Sequence, residues 1–112
     1  MSSRLYVAVR ADLPPGLQMA QAVHAAFGFA HDHPEITAEW LRDSQFVVVV
    51  SVPDEHSLVS LAATAVSREL ATVLWHEPDI DDELTAIAIA PSPEATRLCS
   101  SLPLAGRQLV DT

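Results

Sequence analysis

Lysine is absent from this chain, and its six arginines stand against fifteen aspartates and glutamates, for a formal net charge of −9 over 112 residues. Proteins that neutralise many phosphates carry a basic footprint. At most a small local patch of arginine is available here, so a nucleic-acid role has to rest on few contacts, on the order of two to four phosphates. Cysteine is nearly absent too. Cys99 stands alone, which excludes an internal disulfide and any multi-thiolate metal site, and fits a cytoplasmic location. The longest apolar run, FVVVV at 46 to 50, falls far short of the roughly 20 residues that cross a bilayer, so no membrane partner is expected. The start MSSRLYVAV lacks the apolar segment and cleavage site of a signal peptide. There is no glycine-rich phosphate loop, no GxSxG elbow and no HExxH, so neither a cofactor nor a metal is called for.

What is present describes a globular chain, 49% apolar and 19% charged. Its length suits one domain over 1–112, with a core from about 4 to 104 and a loose tail beyond Leu104. LYVAVR (5 to 10) reads as a buried strand ended by the turn ADLPPG. A helix follows from Leu17 to about His31. At about 100° per residue, Met19, Ala20, Val23, Ala26, Phe27 and Ala30 share one face, while Ala22, Ala25 and Phe29 lie nearly opposite. Such a helix is expected to pack on two sides, with Gln21, His24, Gly28 and His31 on the strip between.

A short helix from about Pro34 to Arg42 precedes FVVVVSV (46 to 52), read as a strand inside a sheet covered on both sides. Asp54 is placed to cap a helix whose stripe is Leu58, Leu61, Ala62, Ala65 and Val66. ATVLWH (71 to 76) and LTAIAIA (84 to 90) give two more strands around the acidic loop EPDIDDE. In the last strand Leu84, Ala86, Ala88 and Ala90 alternate with Thr85, Ile87 and Ile89. PSPEATRLCSSL suggests a final short helix. The order β-α-β-α-β-β-α points to a single α/β domain with a mixed four-stranded sheet and helices on both faces.

The stretch QMAQAVHAA (18 to 26) keeps Gln18, Gln21 and His24 on an uncharged, alanine-rich background. The ordinary explanation for His24 is a buried histidine bonded to backbone. The sharper one is a general acid or base, since histidine side chains ordinarily titrate near pH 6.5. Arg10 and Asp12 close the first strand, and Glu77 follows the third. Ligands of open α/β sheets bind beyond the carboxyl ends of strands, so these residues share a candidate edge with His24. A local ion pair accounts equally well for Arg10 and Asp12, and a solvated loop for Asp79, Asp81, Asp82 and Glu83. His31 and His33 diverge on a helix and make no metal set with His24.

R-A-D-L (10 to 13), followed by A-Q-x-x-H-A-A (20 to 26), resembles the first motif of the type 2, archaeal and eukaryotic-type, peptidyl-tRNA hydrolases. The resemblance continues through Trp40, FVVVVSV, V-P-D-E-x-x-L (52 to 58) and A-I-A-I-A-P-S-P (86 to 93), and covers about residues 4 to 104. LWHEPDIDDELTAIAIAPSP is similar to a divergent branch, the peptidyl-tRNA hydrolase domain-containing proteins. The resemblance implies a mixed-sheet α/β domain, often a homodimer, that hydrolyses the ester joining a peptide to the 3′ ribose of tRNA. Carried over by position, the motif histidine is His24, the motif glutamine Gln21, and the strand-end pair Arg10 and Asp12. The chain departs from the pattern in its lysine-free turn, shorter by two residues, and in Glu77, Pro78 and Asp79 where the family has aspartate-alanine-glycine.

Two functions follow. One is a hydrolase of peptidyl-tRNA, or of a smaller acylated nucleotide, in which His24 or Glu77 activates water. Gln21 or helix amides would then meet the oxyanion, and Arg10 a phosphate, so that Arg10, Asp12, Gln18 and Gln21 contact substrate at the acceptor end. The other is a non-enzymatic module for a nucleotide, an RNA end or a protein, favoured by the missing lysines and the acidic loop.

Overall fold

A computed structural model describes residues 3–107. Four strands, β1 (Arg4–Arg10), β2 (Phe46–Val52), β3 (Thr72–Glu77) and β4 (Glu83–Ile89), form one sheet in the order β2-β1-β4-β3. β1 and β2 run parallel, and β4 runs antiparallel to both β1 and β3. The carboxyl ends of β1, β2 and β3 therefore meet the start of β4 at one edge. This is the mixed four-stranded α/β architecture expected from the sequence.

Helices α1 (Pro15–Asp32) and α2 (Pro34–Asp43) cover one face, α3 (Glu55–Ser67) and α4 (Pro93–Cys99) the other. Each start has a local cause. Pro15 and Pro34 occupy first-turn positions where a missing N–H costs nothing. Asp54 accepts from the Ser57 N–H at 2.9 Å to open α3, and Ser92 does the same for Ala95 to open α4. Under α1 lie Leu5, Val7, Val9, Ala25, Phe29 and Val73, while Tyr6, Ala8, Leu58, Ala62, Ile87 and Ile89 fill the other side. Burying one Val, Leu or Ile contributes roughly 1.5–3 kcal/mol. Cys99 is sealed in this second layer, where burial pushes its thiol up to about 11.

The structure corrects the sequence reading at three places. First, α1 packs on one side only. Gln21, Ala25 and Phe29 face the sheet, whereas Met19, Val23 and Phe27 are each more than half exposed. Periodicity shows that two faces are apolar, but only the topology decides which one meets a sheet. Gly28 helps this packing, since a Cβ there would sit 3.3 Å from Val73 Cγ1.

Second, β2 is an edge strand, not an interior one, and its first residues Phe46 and Val47 are about half exposed. Its second half is sheltered because Ser51 N–H reaches Pro103 O and Ala105 N–H reaches Val49 O. Leu104 to Gly106 are thus ordered against β2. The remainder of the tail expected to be loose, 108–112, lies outside the described residues.

Third, β4 does not alternate strictly. Trp75 pairs with Ala86 and His76 with Leu84, so Thr85 is the extra residue of a β-bulge. The bulge puts Thr85 on the α1 side together with Ala86, while Leu84 joins Ile87 and Ile89 on the α3 side.

Candidate functional site

The carboxyl-end edge collects most of the sequence candidates. α1 begins there and runs back across β1, β4 and β3. Its second and third turns consequently bring Gln21 and His24 over the end of β3, where Glu77 is the last strand residue.

Gln21 is the best-fixed side chain of the group. Although polar, it is only 1% exposed. A buried amide is tolerated only when its hydrogen bonds are made. Its Nε2 donates to Glu77 Oε1 at 2.9 Å, and its Oε1 accepts from the Thr85 hydroxyl at 2.6 Å. Those partners fix which end of the amide is which, because a carboxylate takes the N–H end and a hydroxyl can serve the oxygen end. The oxyanion contact expected of Gln21 is not what this geometry offers. The amide gives one N–H to Glu77 and its oxygen to Thr85, and so acts as a post for Glu77. Thr85 was missed by sequence reasoning, since LTAIAIA alternates without a sign of the bulge that turns it inward.

Glu77 is held on three sides. Oε1 takes the Gln21 amide and faces His24 Nδ1 at 3.8 Å, and Oε2 accepts from the Asp79 backbone N–H at 3.3 Å. The Gln21 hydrogen bond, with help from the Asp79 N–H, keeps this carboxyl below the usual glutamate range. It is therefore an anion at neutral pH.

His24 rests its ring on Trp75, with centroids 4.9 Å apart and planes tilted by 38°. Its side chain is 43% exposed, yet Nδ1 is buried and has no hydrogen-bond partner. The exposure therefore belongs to the rest of the ring. At 3.8 Å the Nδ1–Glu77 contact is longer than a hydrogen bond, and roughly 1 Å of closure would make it one. Trp75 Nε1 is likewise buried without a partner. Among the described residues these two nitrogens, on rings in contact with each other, are the buried side-chain polar atoms without a partner, and His24 Nδ1 is the one that faces the fixed carboxylate.

Arg10 is placed differently from its expected role as a phosphate contact. It is 7% exposed, and its Nε and Nη2 form a fork with Asp12 at 3.0 and 2.8 Å. Nη1 donates to Glu83 Oε1 at 2.7 Å and to the Leu84 carbonyl at 3.2 Å. The Asp12 fork, then Glu83, raise the guanidinium pKa, while the same fork holds the Asp12 carboxyl low. A guanidinium so engaged clamps β1, the β1–α1 turn and β4 together, and a phosphate would have to displace a carboxylate to reach it. Asp12, as its partner, is likewise occupied.

Gln18 lies away from His24 on the helix. Its amide donates to Leu13 O at 2.6 Å and to Ala11 O at 3.4 Å, so it ties the turn to α1. There it borders an apolar groove of about 600 Å³ between α1, β1 and Ala105–Gly106. The structure thus brings together His24, Glu77 and Gln21 and adds Thr85 and Trp75. It assigns Arg10, Asp12 and Gln18 to internal contacts.

Comparison with known proteins agrees with the fold and with the family that the sequence resembles. The family model described as Peptidyl-tRNA hydrolase PTH2 matches residues 3–102. The human protein named "Putative peptidyl-tRNA hydrolase PTRHD1" is 36% identical over 101 aligned residues, covering 80% of this chain and 71% of its own. Its mouse counterpart of the same name gives the same identity and coverage. Among solved structures, the protein of unknown function Atu0240 from Agrobacterium tumefaciens strain C58 superposes with a TM-score of 0.68. It covers 93% of this chain and 98% of its own at 15% identity, a likeness of fold.

Proposed function

Because this chain belongs to the peptidyl-tRNA hydrolase PTH2 family, we propose that it hydrolyses the ester between an acyl or peptidyl group and the 3′ ribose of a tRNA end, with His24 as general base and Glu77 as its orienting anion. The observation that carries this reading is the pairing of a half-exposed imidazole with a carboxylate fixed behind it, His24 Nδ1 facing Glu77 Oε1.

In the working arrangement Glu77 holds the proton of the imidazole on Nδ1, which leaves Nε2 as the acceptor at the open side of the ring. Nε2 takes a proton from water as the water oxygen bonds to the ester carbonyl carbon. The carbon–oxygen bond to the ribose then breaks, and the departing ribose oxygen receives the proton from the imidazolium. The products are a carboxylic acid and a free 3′ hydroxyl. Gln21, held by Thr85, keeps Glu77 in place. Trp75 supports the ring from behind.

The test is release of free tRNA from a peptidyl-tRNA by the purified protein beside His24→Ala and Glu77→Gln. General-base loss typically costs 10²- to 10⁴-fold in rate, so His24→Ala should fall in that range, and Glu77→Gln, which keeps shape and removes charge, should fall less. A specific observation favours the second reading, a non-enzymatic binding module: Arg10 is already paired with the carboxylates of Asp12 and Glu83. Absence of wild-type turnover on any acyl ester would support that alternative.

A further inference from the structure

The sheet sorts the charges of this chain along its length. Arg4 opens β1 at the edge opposite Glu77. Arg42 lies in the last turn of α2 next to Asp43, which bonds Ser3 at that same far edge. Arg68 and Arg97 both pair with Glu94, at 2.6 and 3.0 Å, beyond the far end of β4. Arg107 lies two residues past Ala105, which bonds Val49 midway along β2, and its N–H turns back to Leu104 O. At the near edge stands Arg10, and Asp12 and Glu83 neutralise it.

Around the near edge the acids are concentrated. The β3–β4 turn carries Asp79, Asp81 and Asp82 between Glu77 and Glu83, and it folds back on Glu77: Asp79 N–H meets the carboxylate, and Asp82 N–H meets the Glu77 carbonyl at 3.0 Å. A site so rimmed repels phosphate. Unit charges in such surroundings interact over about 8–10 Å at ordinary ionic strength, and fields of one sign change encounter rates by 10-fold or more.

Resting on the hydrolase reading, we propose that this site recognises only the acylated terminal nucleoside, the body of a tRNA adding repulsion instead of binding, so that a phosphate-free acyl-adenosine is turned over at least as well as an intact peptidyl-tRNA. The ester, the ribose and the base carry no phosphate charge, and the half-exposed His24 ring can reach a terminal ester without any backbone contact. This reverses the usual behaviour of proteins on nucleic acid, whose affinity falls as salt rises. Here turnover of tRNA should rise with salt, because screening removes a penalty.

The experiment compares kcat/KM on N-acetylleucyl-adenosine, esterified at the ribose, with that on N-acetylleucyl-tRNA. Added salt runs from about 0.01 M to about 1 M, across which the Debye length shrinks from about 30 Å to about 3 Å. The tRNA value should climb about three- to tenfold, and the adenosine ester should stay flat. The double variant Asp81→Asn, Asp82→Asn removes two charges. Asn suits the left-handed backbone both positions adopt, at φ of 51° and 57°. At low salt it should raise the tRNA value by about the same factor and leave the adenosine ester unchanged. A tRNA rate that falls or stays level with salt, or a clear preference for tRNA over the adenosine ester, overturns the inference and leaves the hydrolase reading standing. No turnover of either ester overturns both.

Discussion

Arg10 and Gln21 are both sealed inside the protein at the same edge of the sheet, and each is tied to a glutamate of the β3–β4 hairpin. Arg10 binds Glu83 and Asp12, and Gln21 binds Glu77 and Thr85. Glu77 and Glu83 are register partners on neighbouring strands, so the two groups are built alike. They differ in what remains unpaired. The Arg10 group is nearly filled: four of the five guanidinium N–H donors go to two carboxylates and one carbonyl. The Glu77 group keeps His24 Nδ1 open, and Nε1 of Trp75, whose ring lies against His24, is open too. A polar network that satisfies itself strengthens the fold. One with valences in reserve has something left for a ligand.

The sharpest way to break that comparison is to truncate one residue from each group. Arg10→Ala leaves Asp12 and Glu83 facing one another and strands the Leu84 carbonyl. Breaking a buried pair costs about 3–5 kcal/mol. Asp12 and Glu83 are 41% and 36% exposed, which permits water to relieve part of this, so about 2–3 kcal/mol is expected here. In thermal unfolding that is a drop of roughly 10 °C or more. Turnover per folded molecule should hardly change. His24→Ala should do the reverse, removing turnover while shifting the melting temperature by only a few degrees, because the ring is half exposed. If Arg10→Ala abolishes catalysis without loss of stability, Arg10 meets substrate after all and the two groups are one site.

Parts of this arrangement were legible in the chain alone, for physical reasons that can be named. Gln21 and His24 stand out because an alanine-rich helix has no other use for hydrogen-bonding side chains. Glu77 stands out because it follows an apolar strand directly. The sheet with its two helical layers follows from strand and helix spacing. Other parts depend on topology that periodicity does not carry. FVVVV reads the same whether its strand is central or is an edge sheltered by Pro103 to Ala105. The pattern R-x-D shows one ion pair of Arg10, but Glu83 is 73 positions away and joins only once β4 lies beside β1. The bulge at Thr85 hides inside a regular alternation. Met19, Val23 and Phe27 read as core because hydropathy does not tell which face of α1 the sheet takes.

A smaller effect sharpens the same contrast from within the Glu77 group. Thr85→Val keeps volume and removes one hydroxyl, which leaves the buried Gln21 Oε1 without a donor. An orphaned buried acceptor costs about 1–3 kcal/mol. Adding Gln21→Leu removes the orphan, so the double variant should be less destabilised than the sum of the two single changes in urea unfolding. Strict additivity would mean that the 2.6 Å contact between these side chains contributes nothing.

The smallest expected effect is on acid stability, and it separates the two groups by partner. Both Glu77 and Asp12 have carboxyls held below their ordinary range, Glu77 chiefly by the Gln21 amide and Asp12 chiefly by Arg10. A carboxyl whose folded value is depressed binds fewer protons folded than unfolded. Its contribution is therefore complete above the unfolded value, near 4.3 for glutamate and 3.9 for aspartate, and is lost as pH falls through the lower folded value. Above about pH 5 the stability difference between wild type and Glu77→Gln should be level, and below about pH 4.3 it should shrink. The Asp12→Asn difference should hold to lower pH, since its window opens at about 3.9. The Gln21 side-chain amide protons, followed by NMR in the wild type, should move only in the acid range where Glu77 takes its proton, and Asp12→Asn should not alter that titration. A Gln21 signal that stays level through the acid range would show that the amide does not hold Glu77, and the fixed carboxylate behind the imidazole would have to be abandoned.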